Sequence, residues 1–294
     1  GTTYNVADFP KIWIDNLTGS YTGDTFVSDS AYAMTGQVAY DAVTSINLIS
    51  QSLTTDFTSE FLGKFSNLTL LQFYINQIII LDVSQLVNLN IIQCYNNQII
   101  ILDVSQLVNL TSIQCENNQI ELLDTSQLIN LTNLRCSNNQ IITSDVSQLV
   151  NLTLLQCHLN QIIILDVSQL VNLTSINCNT NQIIILDVSQ LVNLTSIQCQ
   201  INEIIILDVS QLVNLLTIIC ENNQITTLDV SQLVNLTYLR CHSNQLTAAA
   251  NSQILIDLDS NGLSNGYFRS SIFGGGTLTT AGTTAKNALL AKGW

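Results

Sequence analysis

One proline in 294 residues leaves no room for a collagen-like or proline-rich linker architecture. Charge is scarce too, and what there is carries mostly one sign. Seven Lys and Arg stand against 21 Asp and Glu, for a formal net charge of -14. So few cations cannot build an extended phosphate-neutralising surface, which argues against nucleic-acid partners and anionic membranes. No apolar run approaches the roughly 18–20 residues that span a bilayer, so no membrane insertion is expected. The chain begins at Gly1, so a signal peptide is expected to have been removed or to be absent from it. What is abundant is apolar side chains, at 47% of residues. That excludes wholesale disorder and suffices for two average domains or one elongated one.

The apolar residues are organised by a repeat. Cys94, Cys115, Cys136, Cys157, Cys178, Cys199, Cys220 and Cys241 are all the cysteines present, each 21 residues after the last. Asn76, Asn97, Asn118, Asn139, Asn160, Asn181, Asn202, Asn223 and Asn244 form a second column at the same period. Regular repeats are expected over 60–248, preceded by a degenerate first repeat at 43–59. Residues 1–42 fall outside the pattern and read as an N-terminal cap or attachment segment. Residues 249–294 read as a C-terminal cap, turn-rich from Asp257 to Gly266, with a strand at about 267–273 and a helix at about 280–292. Atypical ends are what a solenoid needs to close its core against water.

Within one repeat the frame is Leu173, Ile176, Cys178, Asn181 and Ile183. This resembles the leucine-rich repeat, with cysteine at the third apolar place. The 21-residue length and the Leu-Asp-Val-Ser segment resemble secreted bacterial repeats, and the tail from Ile254 to Trp294 resembles caps of such proteins in bacteria and their viruses. The resemblance implies a leucine-rich-repeat solenoid, a horseshoe or superhelix. Its parallel β-sheet would lie on the concave face, with short turns or extended segments opposite and caps at both ends.

Each column invites a chemical reading and a structural one. Cysteines on neighbouring strands lie within bridging distance, but side chains facing one way into a packed core should behave as small buried hydrophobes. No cysteine or histidine spacing matches a metal site. The aspartates Asp82, Asp103, Asp124, Asp145, Asp166, Asp187, Asp208 and Asp229 either cap the turn that follows or line a row of cations. Asp257, Asp259 and Asn261, before Gly262, imitate the start of a calcium loop, but Phe268 stands where its bidentate glutamate belongs. His158 and His242 are four repeats apart and cannot share a task. No catalytic set converges, so no enzyme activity and no cofactor are expected. Asn-Leu-Thr sequons occur at Asn16, Asn67, Asn109, Asn130, Asn151, Asn172, Asn193 and Asn235, most as a by-product of the repeat frame.

Variation concentrates on the outward strand positions. Tyr74, Tyr95, Glu116, Arg135, His158, Tyr238, Arg240 and His242 are the candidate ligand-binding residues, neutral drift on a solvated face being the alternative. This implies an extracellular, cell-surface or virion-surface recognition module for a protein or glycan. Two other readings stay open: a structural subunit packing laterally with copies of itself in a filament, surface layer or virus particle, and a host-directed effector. The lateral reading rests on Ile100, Ile163, Ile184 and Ile205, each followed by a second isoleucine. If one member of each pair points outward, the flank carries an apolar ribbon of roughly 400 Å², large enough to suggest a partner. A second, partly self-buried strand stack is the alternative.

Overall fold

The computed structural model describes residues 13–15, 19–22, 25–28, 44–47, 49 and 62–294. They fall into two compact units, Gly1–Ile141 and Ile142–Trp294. Most of the expected N-terminal cap and of the degenerate repeat, with the Asn16 sequon, lies outside the described residues. Within them, β1 (Trp13–Asp15) pairs antiparallel with β4 (Ser45–Asn47), and β2 (Gly19–Thr22) with β3 (Thr25–Ser28). In the first unit β4, β5 (Leu70–Gln72), β6 (Ile91–Gln93), β7 (Ser112–Gln114) and β8 (Asn133–Arg135) form a parallel ladder. The second unit continues the motif with β9 (Leu154–Gln156), β10 (Ser175–Asn177), β11 (Ser196–Gln198), β12 (Thr217–Ile219), β13 (Tyr238–Arg240) and β14 (Tyr267–Arg269).

One turn of the coil shows why the sequence folds this way. Leu102, Val104, Leu107, Leu110, Ile113, Cys115 and Ile120 are all buried. Burying each large aliphatic chain contributes about 1.5–3 kcal/mol, so one turn supplies a slice of core but no closed one. Opposite the strand, no helix forms. Leu107 N–H donates to the Val104 carbonyl (2.9 Å) and Leu110 N–H to the Leu107 carbonyl (3.0 Å), giving two tight turns in tandem. That compactness is what lets 21 residues complete a coil.

The asparagine column solves the backbone problem where the chain leaves the strand. Asn118 Nδ2 donates to the Cys115 carbonyl (3.0 Å) and to the Cys94 carbonyl of the preceding turn (3.0 Å). Its Oδ1 accepts from Ile99 N–H (3.0 Å). Asn139, Asn223 and Asn244 repeat this arrangement. The residue before each asparagine is in the left-handed region, from Ile75 (φ 59°) to Ser243 (φ 55°). Asparagine tolerates that conformation, and Asn96, Asn117, Asn138 and Asn222 occupy it; Ile75, Thr180 and Ile201 are β-branched and strained there.

At the C-terminal end the expected turn-rich stretch is in part a helix. α1 (Ala248–Ser260) starts at Thr247, whose hydroxyl accepts from Ala250 N–H, and ends at Asn261. α2 (Thr280–Ala291) packs on it at Gly282, where a Cβ would lie 2.5 Å from that of Ser252. The helical conformation removes the calcium loop. Asp257 and Asp259, two residues apart on a helix, point to different sides. Asp257 accepts from Gln253 Nε2 (2.8 Å), Asp259 pairs with Lys292 Nζ (2.6 Å), and Asn261 Nδ2 donates to the Val230 carbonyl (3.0 Å).

Candidate functional site

Two polar systems run along the coils, and they are built differently. On the turn side each aspartate closes an Asx turn. Asp103 Oδ1 accepts from Ser105 N–H (3.1 Å) and Ser105 Oγ (2.7 Å), and Asp82, Asp124, Asp145, Asp166, Asp187 and Asp208 do the same. The Ser126 hydroxyl, with its N–H, holds the Asp124 carboxyl below the usual range. The sequon asparagines are bonded as well: Asn109 Nδ2 donates to the Val87 carbonyl (2.9 Å), and the next turns repeat it. Capping accounts for the aspartate column without a cation.

The eight cysteines are free and buried, and burial is the first cause that pushes up the thiols of Cys94, Cys115, Cys136, Cys178, Cys199, Cys220 and Cys241, Cys136 and Cys178 to about 12. Such thiols stay protonated and inert.

The strand face differs. In each of β5 to β13 the middle residue is buried and its two neighbours are half-buried. In the first unit Tyr74 and Tyr95 stack with centroids 4.4 Å apart, and Gln72 Nε2 donates to Gln93 Oε1 (2.7 Å). Burial raises the Glu116 carboxyl, opposed by the positive charge of Arg135. In the second unit Arg240 pairs with buried Glu221 (2.6 Å), and Tyr238 stacks on Tyr267 (4.7 Å). Burial lowers the His158 imidazole.

Much of this face is unsatisfied. Glu116 Oε2, Asn133 Oδ1, Arg135 Nε, His158 Nδ1, Gln200 Oε1, Glu221 Oε2, Arg240 Nε and His242 Nε2 are buried without a hydrogen-bond partner. Apart from Ser144 Oγ and Trp294 Nε1, every such atom among the described residues lies on this face. The structure thus places Tyr74, Tyr95, Glu116 and Arg135 together in one unit and His158, Tyr238, Arg240 and His242 in the other. Tyr267 and Arg269 extend the second group and went unassigned from sequence. The signal was there: Tyr267-Phe268-Arg269 repeats Tyr238-Leu239-Arg240, and the two strands pair in that register.

On the flank both members of each isoleucine pair are exposed, the second more than the first. Ile100, Ile163, Ile184 and Ile205 are 43–46% exposed, and the second members Ile101, Ile164, Ile185 and Ile206 are 73–75% exposed. Isolated bridges, Ile80 to Ile101 and Thr143 to Ile164 among them, mark this flank. In the second unit Ile163, Ile164, Ile184 and Ile185 line a shallow apolar groove with Asp166 and Asp187.

No protein-family profile and no curated protein sequence matches the chain. Among solved structures it is similar to the functional domain of InlJ from Listeria monocytogenes, which includes a cysteine ladder. The two are 36% identical with a TM-score of 0.67, over 74% of this chain and 48% of that one. The chain thus spans about half the length of that structure. Internalin InlF from Listeria monocytogenes is 18% identical, with a TM-score of 0.52, over 88% of this chain and 90% of that one. The receptor-kinase ectodomain GASSHO1/SCHENGEN3 from Arabidopsis thaliana, solved with Casparian strip integrity factor 2, is 21% identical. Its TM-score is 0.66, over 73% of this chain and 28% of that one. With 21-residue coils, an asparagine ladder and cysteine at the third apolar place, the chain is a leucine-rich-repeat protein.

Proposed function

We propose that the chain is a non-enzymatic recognition module, secreted or displayed on a cell or virion surface, that binds a partner along its strand face. The observation that carries this is the concentration of buried, unpartnered polar atoms on that face, against a turn side whose repeated polar groups are bonded. An unmet buried polar group costs about 1–3 kcal/mol, which a complementary partner recovers. Stacked tyrosines and arginines are residue types in which interface energy concentrates, and they favour a protein partner over a glycan. The plant ectodomain, a neighbour in fold alone, was solved with a bound partner. A photoreactive residue at position 179 should crosslink to the partner, and one at position 129, on the turn side, should not. Equal crosslinking from both would refute the reading.

A second reading, lateral packing in an assembly, is favoured by the exposed isoleucine pairs. Replacing Ile164, Ile185 and Ile206 by Thr should then leave the fold intact and abolish association seen by sedimentation. A native chain that stays monomeric at high concentration contradicts it.

A further inference from the structure

The chain has three arginines, Arg135, Arg240 and Arg269, and all three project from strands β8, β13 and β14. In a chain of net charge -14 that placement is selective. Two of them are neighbours: Arg240 and Arg269 are register partners on adjacent parallel strands, about 4.8 Å apart. Like charges placed side by side on a sheet repel, so the pair needs an anion. Glu221 supplies one to Arg240 alone, and Arg240 Nε still lacks an acceptor. Among the described residues no carboxylate pairs with Arg269, which is exposed. The imidazole of His242 lies close enough to feel both guanidinium groups, and its buried Nε2 is unpartnered. Two residues before each arginine, Tyr238 and Tyr267 stack to form a flat platform.

We propose that this corner is the anchor for an acidic segment of a protein partner: a carboxylate bridges Arg240 and Arg269, and the adjoining side chain lies on the Tyr238–Tyr267 stack. A guanidinium pair suits planar carboxylates through paired N–H donors. An extended polyanion such as a nucleic acid is disfavoured, because beyond this corner it would meet the surplus of carboxylates. The inference rests on the strand-face reading and narrows it to one partner chemistry.

Random dodecapeptides displayed on phage and selected on the folded chain provide the probe. The expected result is enrichment of Asp or Glu beside an aromatic residue. Affinity should fall at least tenfold in Arg269→Glu and substantially when salt is raised. Arg269 is exposed, so its replacement leaves the fold intact; Arg269→Lys, which keeps the charge and loses the fork, should fall in between. Selection without acidic enrichment, or acidic peptides indifferent to Arg269→Glu, overturns the anchor. If the selected peptides respond instead to Tyr74→Ala or His158→Ala, the anchor falls and the strand-face reading stands. If nothing selected responds to any of these replacements, both fall. A single-stranded oligonucleotide that competes with the peptides at equal concentration would also overturn the choice of partner.

Discussion

Polar residues line both the turn side and the strand face of each coil, and they are used in opposite ways. The recurring polar residues are bonded: Asp103 to Ser105 and Asn109 to the Val87 carbonyl on the turn side, and Asn118, where the chain leaves the strand, to four backbone groups. On the strand face the residues differ from turn to turn, and buried atoms of Glu116, Arg135, His158 and His242 have no partner. Repetition goes with internal satisfaction and variation with its absence. That pairing separates what holds the coil together from what it offers to a partner.

The largest effect should come from breaking a bond on the repeated side. Asn118→Ala orphans Ile99 N–H and takes one of the two amide donors from each of the Cys94 and Cys115 carbonyls, which keep Asn97 and Asn139, and should cost about 3 kcal/mol in denaturant unfolding. A loss below about 1 kcal/mol would mean the column is decorative. Cys157→Ser should cost roughly 1–3 kcal/mol, since a hydroxyl replaces a thiol in a site 1% exposed. In the native protein all eight thiols should resist labelling until the chain unfolds.

Ile201→Asn sharpens the comparison from the other direction. Ile201 is held at φ 56° and is 51% exposed, so asparagine relieves backbone strain and gives up little buried surface. A gain of about 1 kcal/mol is expected, read as a raised denaturation midpoint. The smallest effect is electrostatic. Because the Asp124 carboxyl is depressed in the folded chain, its contribution is complete above the ordinary aspartate value, about 4, and is lost as pH falls through the lower folded value. Asp124→Asn should flatten the acid limb of the stability–pH profile slightly and leave neutral pH nearly unchanged.

Where the sequence repeats, it was legible. The cysteine and asparagine columns and the aspartate caps are each visible because one residue type recurs at one place. The left-handed column was not read, because Ile75, Leu159, Thr180, Ile201 and Ser243 hide what Asn96, Asn117, Asn138 and Asn222 indicate. The cap was misread over Asp257–Ser260, where Asp, Ser, Asn and Gly suggested turns. Tertiary contacts hold it helical, with Leu258 buried and Asp259 tied to Lys292. The partner-facing side was legible only as variation. Which atoms are unpaired depends on neighbours one turn away, and Tyr267 and Arg269, whose echo of Tyr238 and Arg240 falls off the 21-residue period, were placed only when β14 joined β13.

The central claim is tested most directly by measuring melting temperature and partner capture on two matched sets of alanine variants. One set is Asn118, Asn139 and Asn223; the other is Tyr95, Arg135 and His158. The account predicts that the first set lowers the melting temperature by several degrees and that its folded fraction still captures the partner. The second set should capture poorly and melt within about a degree of the native chain. Strand-face variants that melt early and bind normally would contradict it.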